Sequence, residues 1–255
     1  MRSLIIATAA ICSFASASHA VTTLPLLPQS GLTIDQTFNM LCGGQACEQI
    51  VPEMRIGSAA GGSGTYEYNF QADGQFNFQG LGRDFPWQNG VETQFSISYV
   101  GGMTNTLSLM VGTNMADQIM VDLSQTNAGS LSPTITLFIR TSNFGGGNDP
   151  NGASVMLLSE MMLNGMSIPP VSSSGGNPRQ VSYLQVFDFD WTQDWTLDGN
   201  VFFAWDGFQP SQSQLASQFK FTDLNPVPIP LPAPVLMLGA ALSGLGLMRL
   251  RRKRS

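Results

Sequence analysis

The side chains with the most evident chemical potential lie between residues 187 and 200, in the run Phe-Asp-Phe-Asp-Trp-Thr-Gln-Asp-Trp-Thr-Leu-Asp-Gly-Asn. Carboxylate oxygens are the hard ligands that Ca²⁺ prefers, although the spacing here is not that of an EF-hand loop. The alternative is structural: a strand alternates core aromatics with solvated aspartates, and residues 198–200 form a turn. The candidate calcium ligands are Asp188, Asp190, Asp194 and Asp198.

Tryptophan side chains suggest a second chemistry, the binding of sugars. An exposed indole can stack on the apolar face of a pyranose ring while nearby Asp, Asn and Gln side chains bind its hydroxyls. The candidate ligand-binding residues are Trp87, Trp191 and Trp195. Trp87 lies in a loop-like segment, so we expect it to be the most exposed of the three. Large aromatics are also common core residues, and this alternative stays open.

Composition limits the enzymatic chemistry available to the chain. The one histidine, His19, lies in a segment that we expect to be removed, which leaves no Ser-His-Asp, Cys-His or histidine-ligated metal site. Paired carboxylates keep a secreted polysaccharide hydrolase as an alternative, but nothing in the sequence sets two of them at a working separation. We therefore predict that the protein is not an enzyme and carries no cofactor beyond the candidate Ca²⁺.

The first twenty residues have the layout of a secretory signal peptide. Arg2 is followed by an apolar run from residue 4 to residue 14 and then by small residues. A charged start, a short apolar run and a small-residue site are the signature of such a peptide, and the run is too short to span a membrane. We expect cleavage between Ala20 and Val21.

Residues 225–234, Asn-Pro-Val-Pro-Ile-Pro-Leu-Pro-Ala-Pro, begin the other distinctive end of the chain. Proline at every second position fixes φ and removes backbone donors, so this segment is extended. An uncharged apolar stretch follows, and it predicts one short transmembrane helix over residues 233–250. The cationic cluster near residues 249–254 holds that end in the cytoplasm.

This order of proline-rich motif, apolar helix and terminal arginine cluster resembles the VPLPA-CTERM and PEP-CTERM sorting signals of Gram-negative bacteria. The residues that match the motif are Ile229, Pro230, Leu231, Pro232 and Ala233. The resemblance implies a partner, an exosortase-type membrane protease that cuts near the motif and passes the protein toward the cell surface, often in bacteria that make exopolysaccharide. It covers residues 227–255 alone. An ordinary single-span anchor with a proline-rich stalk is the alternative.

Cys42 and Cys47 are the cysteines that remain after the signal peptide is removed. In an oxidising compartment such a pair forms a disulfide that closes a small loop. A redox motif usually has two residues between its cysteines, and two thiols alone make a poor zinc site. We therefore predict a structural disulfide.

The charge of the ectodomain argues against one class of partner. Between residues 21 and 226 there are 17 acidic and 5 basic residues, which gives a net charge of −12, whereas the whole chain has −6. Such a surface repels nucleic acid and other anionic polymers. We expect no nucleic-acid binding, and the basic tail is a topology signal.

The sequence divides into a signal peptide (1–20), one ectodomain (21–226) and a sorting signal (227–255). Period-two alternation predicts an all-β ectodomain, a jelly-roll-like β-sandwich. Glycine- and proline-rich segments at 57–64, 145–152 and 169–178 predict surface loops. The predicted strands are Thr65–Phe70, Gln75–Phe78, Glu92–Val100, Thr106–Val111, Thr134–Arg140, Ser154–Met162, Val181–Phe189, Asn200–Trp205 and Ala216–Thr222.

These observations predict an exported cell-surface or extracellular-matrix protein with a structural or adhesive role. As a precursor it would sit in the inner membrane facing the periplasm, and after processing at the cell surface or outside the cell. The alternatives are a carbohydrate-binding module for exopolysaccharide and the carboxylate-dependent hydrolase.

Overall fold

The structure, a computed structural model, describes residues 21–43, 47–56, 67–72, 82–125, 131–132, 135–143, 153–175, 179–207, 209–210 and 215–224. The predicted signal peptide, the sorting motif and the apolar stretch 233–250 lie outside these residues. In the part of the chain that is described, no helix has the length and apolar character needed to cross a membrane.

Strands dominate the described residues, which contain a single α-helix, α1 (Ile34–Leu41). The strands are β1 (Thr22–Pro25), β2 (Glu48–Ile56), β3 (Tyr68–Ala72), β4 (Gly82–Arg83), β5 (Val91–Val100), β6 (Thr106–Val111), β7 (Ile119–Asp122), β8 (Thr136–Asn143), β9 (Ser154–Leu163), β10 (Met166–Ser167), β11 (Val171–Gly175), β12 (Gln180–Phe187), β13 (Trp195–Trp205) and β14 (Leu215–Thr222).

Two antiparallel sheets give a β-sandwich-like fold. Sheet A has the order β1-β12-β8-β14-β2-β3-β4. Sheet B has the order β10-β9-β13-β5-β6-β7, and β11 also pairs with β9. The all-β class predicted from the alternation is therefore correct.

The core lies between the two sheets. The alternating sequence of strand β5 explains this position of the core. Phe95, Ile97 and Tyr99 are buried, while the residues between them face outward. Phe95 of sheet B packs against Phe219 of sheet A with ring centroids 5.4 Å apart. Trp195 of sheet B stacks on Phe221 of sheet A at 5.5 Å. These aromatic pairs bury large apolar surfaces and hold the sheets together.

Helix α1 covers part of the outer face of sheet A. Thr33 caps its first turn and forms a capping box with Gln36, each side chain accepting a hydrogen bond from the other residue's backbone. Phe38 is buried and contacts Phe138 and Tyr183, with ring centroids 5.1 and 5.2 Å away. Because Thr37 and Phe38 are the buried residues of the helix, α1 has one buried face and one solvated face.

The predicted disulfide joins the end of α1 to the start of β2. Cys42 is the C-cap of the helix, and it is bonded to Cys47, which precedes Glu48. The two Cα atoms are 5.3 Å apart. The bond fixes the helix terminus against the sheet that it covers.

Several predicted strands are confirmed closely. Strand β6 has the predicted bounds, and β5, β9, β12 and β14 differ from their predictions by two residues or fewer at each end. The turn proposed between two strands at residues 72–74 lies mostly outside the described residues, as does the strand at 75–78. So do the predicted loops at 57–64 and 145–152.

Strand β12 ends at Phe187, two residues before its predicted end, and the next residue, Asp188, adopts a left-handed φ of 61°. Two local predictions are wrong. Residues 198–200 are not a turn but part of the long strand β13. The segment 169–178, predicted as a loop, contains the edge strand β11, whose Val171 and Ser173 face inward. The serines of β11 pair with β9 through their backbone groups. Amino-acid composition alone does not predict such pairing.

Candidate functional site

The three tryptophans predicted to stack on sugars are core residues. Trp87, expected to be exposed, is 8% exposed, and Trp191 and Trp195 are 0% and 2% exposed. The ring of Trp87 lies between Phe85 and Phe203, with centroids 4.6 and 4.8 Å away. Burial of the large apolar ring of Trp87 is energetically favourable. This gain outweighs the tendency of the loop-like segment around it to be exposed. The predicted sugar-stacking platform is therefore wrong in this structure.

The four aspartates proposed as calcium ligands have separate environments. Asp194 accepts a hydrogen bond from the backbone of Gly101 at 2.9 Å. Asp190 accepts from the backbone and the hydroxyl of Thr192, and these bonds hold the pKa of its carboxyl below the ordinary value. In the described part of the chain no three His, Cys, Asp or Glu side chains are placed to hold a metal ion. We do not propose calcium binding by this group.

Asp198 faces a different feature, a cleft of about 430 Å³ on the outer face of sheet B. Its side chain belongs to the solvated face of β13, opposite the buried Leu197 and Val201. The cleft is also lined by side chains from the neighbouring strands β5, β6 and β9. The side chains that decide its chemistry are Gln94, Ser96, Met110, Glu160, Asp198 and Asn200.

A β-bulge shapes one wall of this cleft. Strand β9 pairs Met162 with Asp198 and Ser159 with Asn200, so two residues of β9, Glu160 and Met161, lie opposite the single Gly199. The extra residue lets Met161 point into the core, where it is fully buried, while Glu160 is exposed on the outer face. Glu160 adopts a left-handed φ of 51°, which is unusual for a side chain other than glycine or asparagine. The strand is thus bent to turn a carboxylate toward the cleft.

Hydrogen bonding and register bring the polar groups of the cleft together. The amide of Asn200 donates to Glu160 Oε2 at 3.0 Å. Asp198 lies directly beside Ser96 in the pairing of β13 with β5. Ser96 in turn pairs with Met110 of β6. Two carboxylates, two amides and a hydroxyl therefore share one surface with an apolar methionine.

The two sheets differ sharply in charge. All five basic residues between positions 21 and 224 lie in sheet A strands or beside β12. The strands of sheet B contain no lysine or arginine, and their charged residues are Glu92, Asp122, Glu160 and Asp198. Neither Glu160 nor Asp198 forms an ion pair with a basic side chain among the described residues. The cleft is therefore on the acidic side of the molecule.

The outer face of sheet A has a polar cluster of a different kind. The guanidinium of Arg140, a residue only 5% exposed, donates two hydrogen bonds to Asp35 of α1, from Nε at 3.0 Å and from Nη2 at 2.9 Å. Tyr183 donates to the same carboxylate at 2.8 Å. Gln218 connects Arg140 to Glu53 through distances of 3.4 and 3.1 Å. Because its groups pair with one another under the helix, this cluster serves to hold α1 on the sheet.

Electrostatics in this cluster are consistent with that structural role. Burial acts to raise the pKa of Asp35, but the hydrogen bonds and charge of Arg140 and the Tyr183 hydroxyl outweigh it, so the pKa lies below its ordinary value. Burial raises the pKa of Tyr183. Burial also lowers the pKa of Lys220, which forms an ion pair with Glu48. The pKa shifts of Tyr183 and Lys220 therefore follow from burial under the helix, and that of Asp35 follows from its pairing with Arg140 and Tyr183.

Sequence reasoning missed most of the cleft. It singled out Asp198, but as part of a calcium loop, and it did not consider Gln94, Ser96, Glu160 or Asn200 as one site. One signal was present: Glu160 is the only charged residue in the run Val-Met-Leu-Leu-Ser-Glu-Met-Met-Leu. A lone carboxylate inside a strand of apolar residues marks a position where the alternation breaks.

The fold and this surface define the class of protein, a β-sandwich-like protein with an acidic, polar cleft on one sheet. No family model matches the chain, and no curated protein matches it.

Proposed function

We propose that this chain is an exported cell-surface or extracellular-matrix protein with a structural or adhesive role, and that an exosortase-type protease processes its tail. The observation that carries the proposal is the Cys42–Cys47 disulfide. Disulfides persist in oxidising compartments outside the cytoplasm and are rare within it. The disulfide therefore supports export independently of the signal-peptide pattern at residues 1–20.

The fold and the surface composition support the same proposal. From β11 onward the chain alternates between sheets, because β12 and β14 belong to sheet A while β11 and β13 belong to sheet B. This crossing supports the finer assignment of the sandwich to the jelly-roll type, an architecture frequent in surface and lectin domains. The outward face of β5 and β13 contains Ser96, Ser98 and Thr196, neutral hydroxyls suited to a solvated surface.

Proline variants of the tail test the sorting step. Changing both Pro230 and Pro232 to alanine removes the two prolines of the proposed motif. Changing Pro226 and Pro228 leaves the motif intact and serves as the matched control. We expect the first pair to reduce surface display, measured by antibody binding to intact cells of the native host, and the control pair to preserve it. Equal display of both would contradict exosortase sorting through residues 229–233.

A second candidate function, sugar binding, is favoured by the cleft and not by the tryptophans. Clefts of about 300–1,000 Å³ with a few convergent polar groups are typical small-molecule sites, and the cleft beside Asp198 has about 430 Å³. Amides, hydroxyls and carboxylates are the groups that bind sugar hydroxyls. Sugar binding would give an adhesive protein its ligand, so the two proposals are compatible.

A further inference from the structure

We propose that the cleft on sheet B binds an amino-sugar unit of a polysaccharide, with Glu160 and Asp198 facing its ammonium group. This inference rests on sugar binding, the second candidate function, and adds the chemical class of the sugar. Three properties of the cleft lead to it: its hydrogen-bonding groups, its charge and the way its backbone is held.

The hydrogen-bonding groups fit a polyhydroxylated ligand. Gln94 and Asn200 each present an amide that both donates and accepts, and Ser96 adds a hydroxyl. Sugar hydroxyls have the same dual character, so they can pair with all three. Met110 lines the same cleft, and its polarizable apolar side chain can contact the C–H groups of a sugar ring.

The charge of the cleft selects among sugars. Carboxylates accept hydrogen bonds and donate none at neutral pH, so Glu160 and Asp198 favour a ligand rich in donors. An ammonium group is such a ligand, and it can donate a charge-assisted hydrogen bond to each carboxylate. A uronic acid or sulfated sugar would meet like charge on a sheet whose strands contain no lysine or arginine.

The structure of β9 positions the Glu160 carboxylate before a ligand arrives. The bulge at Glu160 turns that residue outward with a left-handed φ of 51°. Backbone conformations of this kind are unfavourable for a non-glycine residue and concentrate at functional sites. Asn200 binds one oxygen of Glu160 at 3.0 Å, which limits the rotation of the carboxylate and leaves its other oxygen for a ligand. Asp198 lines the cleft from the neighbouring strand β13.

Binding of short β-1,4-linked glucosamine oligomers to the purified full chain tests the inference by isothermal titration calorimetry. We expect binding that weakens with added salt and at a pH where the amine loses its proton. N-acetylglucosamine and glucose oligomers, which have no ammonium group, should bind more weakly. The Asp198→Asn and Glu160→Gln variants keep the shape of each side chain, and each should weaken glucosamine binding by about tenfold or more.

The matched control is Glu92→Gln. Glu92 lies two residues before Gln94, on the same face of β5, and does not line the cleft. Replacing Glu92 should leave the dissociation constant of the glucosamine oligomer within about twofold. The Glu92 side chain is exposed and outside the cleft, so salt screens its charge from the ligand. Near-ultraviolet circular dichroism of each variant verifies the fold.

Two results would overturn the inference in different ways. If the neutral oligomers bind as tightly as the glucosamine oligomer, the amino-sugar assignment is wrong while sugar binding stands. If no oligomer binds, or if Asp198→Asn binds like the unaltered chain, the cleft is not the site and the second candidate function loses its support. The export proposal is independent of both results.

Discussion

Gly199 lies against the ring of Phe95, its partner across the pairing of β13 with β5. A Cβ atom built on Gly199 would be 2.9 Å from two ring carbons of Phe95 and 3.1 Å from Cγ of Met161. Real Cβ contacts are not that short, so only glycine fits beneath the ring without a shift of the core. This close approach lies directly under the cleft and beside the bulge that turns Glu160 outward.

Gly199→Ala is therefore expected to destabilise the fold. Both neighbours, Phe95 and Met161, are buried in the core and have little room to move. Overpacking of a core by one methyl group costs about 1–3 kcal/mol. Urea denaturation measures the loss in the free energy of unfolding. Ser96→Ala on the solvated face of β5 is the control, and equal stability of the two variants would contradict the tight contact.

Asp35→Asn should destabilise the protein at neutral pH. It removes the carboxylate that pairs with the buried Arg140 and that accepts from Tyr183. Breaking a buried pair costs about 3–5 kcal/mol, but the Asp35 side chain is 34% exposed, so we expect about 1–3 kcal/mol after screening. The measurement is chemical denaturation at pH 7. Asp84→Asn, a change at an exposed carboxylate, is the control.

The same pair predicts a dependence of stability on pH. The pKa of Asp35 is lower in the folded protein than in the unfolded chain, so the unfolded chain takes up protons first as the pH falls. The stabilising contribution is present above the unfolded pKa of about 3.9 and is lost as the pH drops through the folded pKa. The stability difference between the protein and Asp35→Asn should shrink below about pH 4. A difference that stays constant from pH 7 to pH 3 would refute this account of the pair.

Trp87→Ala distinguishes a core residue from a sugar platform. Because Trp87 packs between Phe85 and Phe203, its truncation should destabilise the fold by about 3–5 kcal/mol. Trp87→Phe keeps much of the packing and should lose less stability. Thermal unfolding followed by circular dichroism measures both. If Trp87→Ala instead keeps full stability, the burial of Trp87 in the core is refuted.

The alternation of the sequence predicted the strands well where one face is buried and the other is solvated. Strands β5 and β6 are examples, since period two and burial coincide there. Strand β2 was missed because Pro52 lies inside it, and proline argues against a central strand. Helix α1 was missed because its eight residues contain few strong helix formers, and its stability comes from the cap at Thr33 and from packing on sheet A.

The cleft was harder to predict than the strands. Its residues come from β5, β6, β9 and β13, which are separated in sequence and adjacent through pairing alone. The bulge at Glu160 depends on the register between β9 and β13, and a single sequence does not fix register. The burial of Trp191 was foreseen as the structural alternative, whereas the exposure expected for Trp87 rested on the composition of its loop and was wrong.

Intact mass spectrometry of the protein from its native host, with and without the exosortase-type protease, tests the central proposal most directly. The account predicts a chain that begins at Val21 and ends between Ile229 and Pro234, with the carboxyl-terminal end changed when the protease is absent. A mass that retains residues 1–20, or residues 249–255 in both strains, would contradict export followed by sorting.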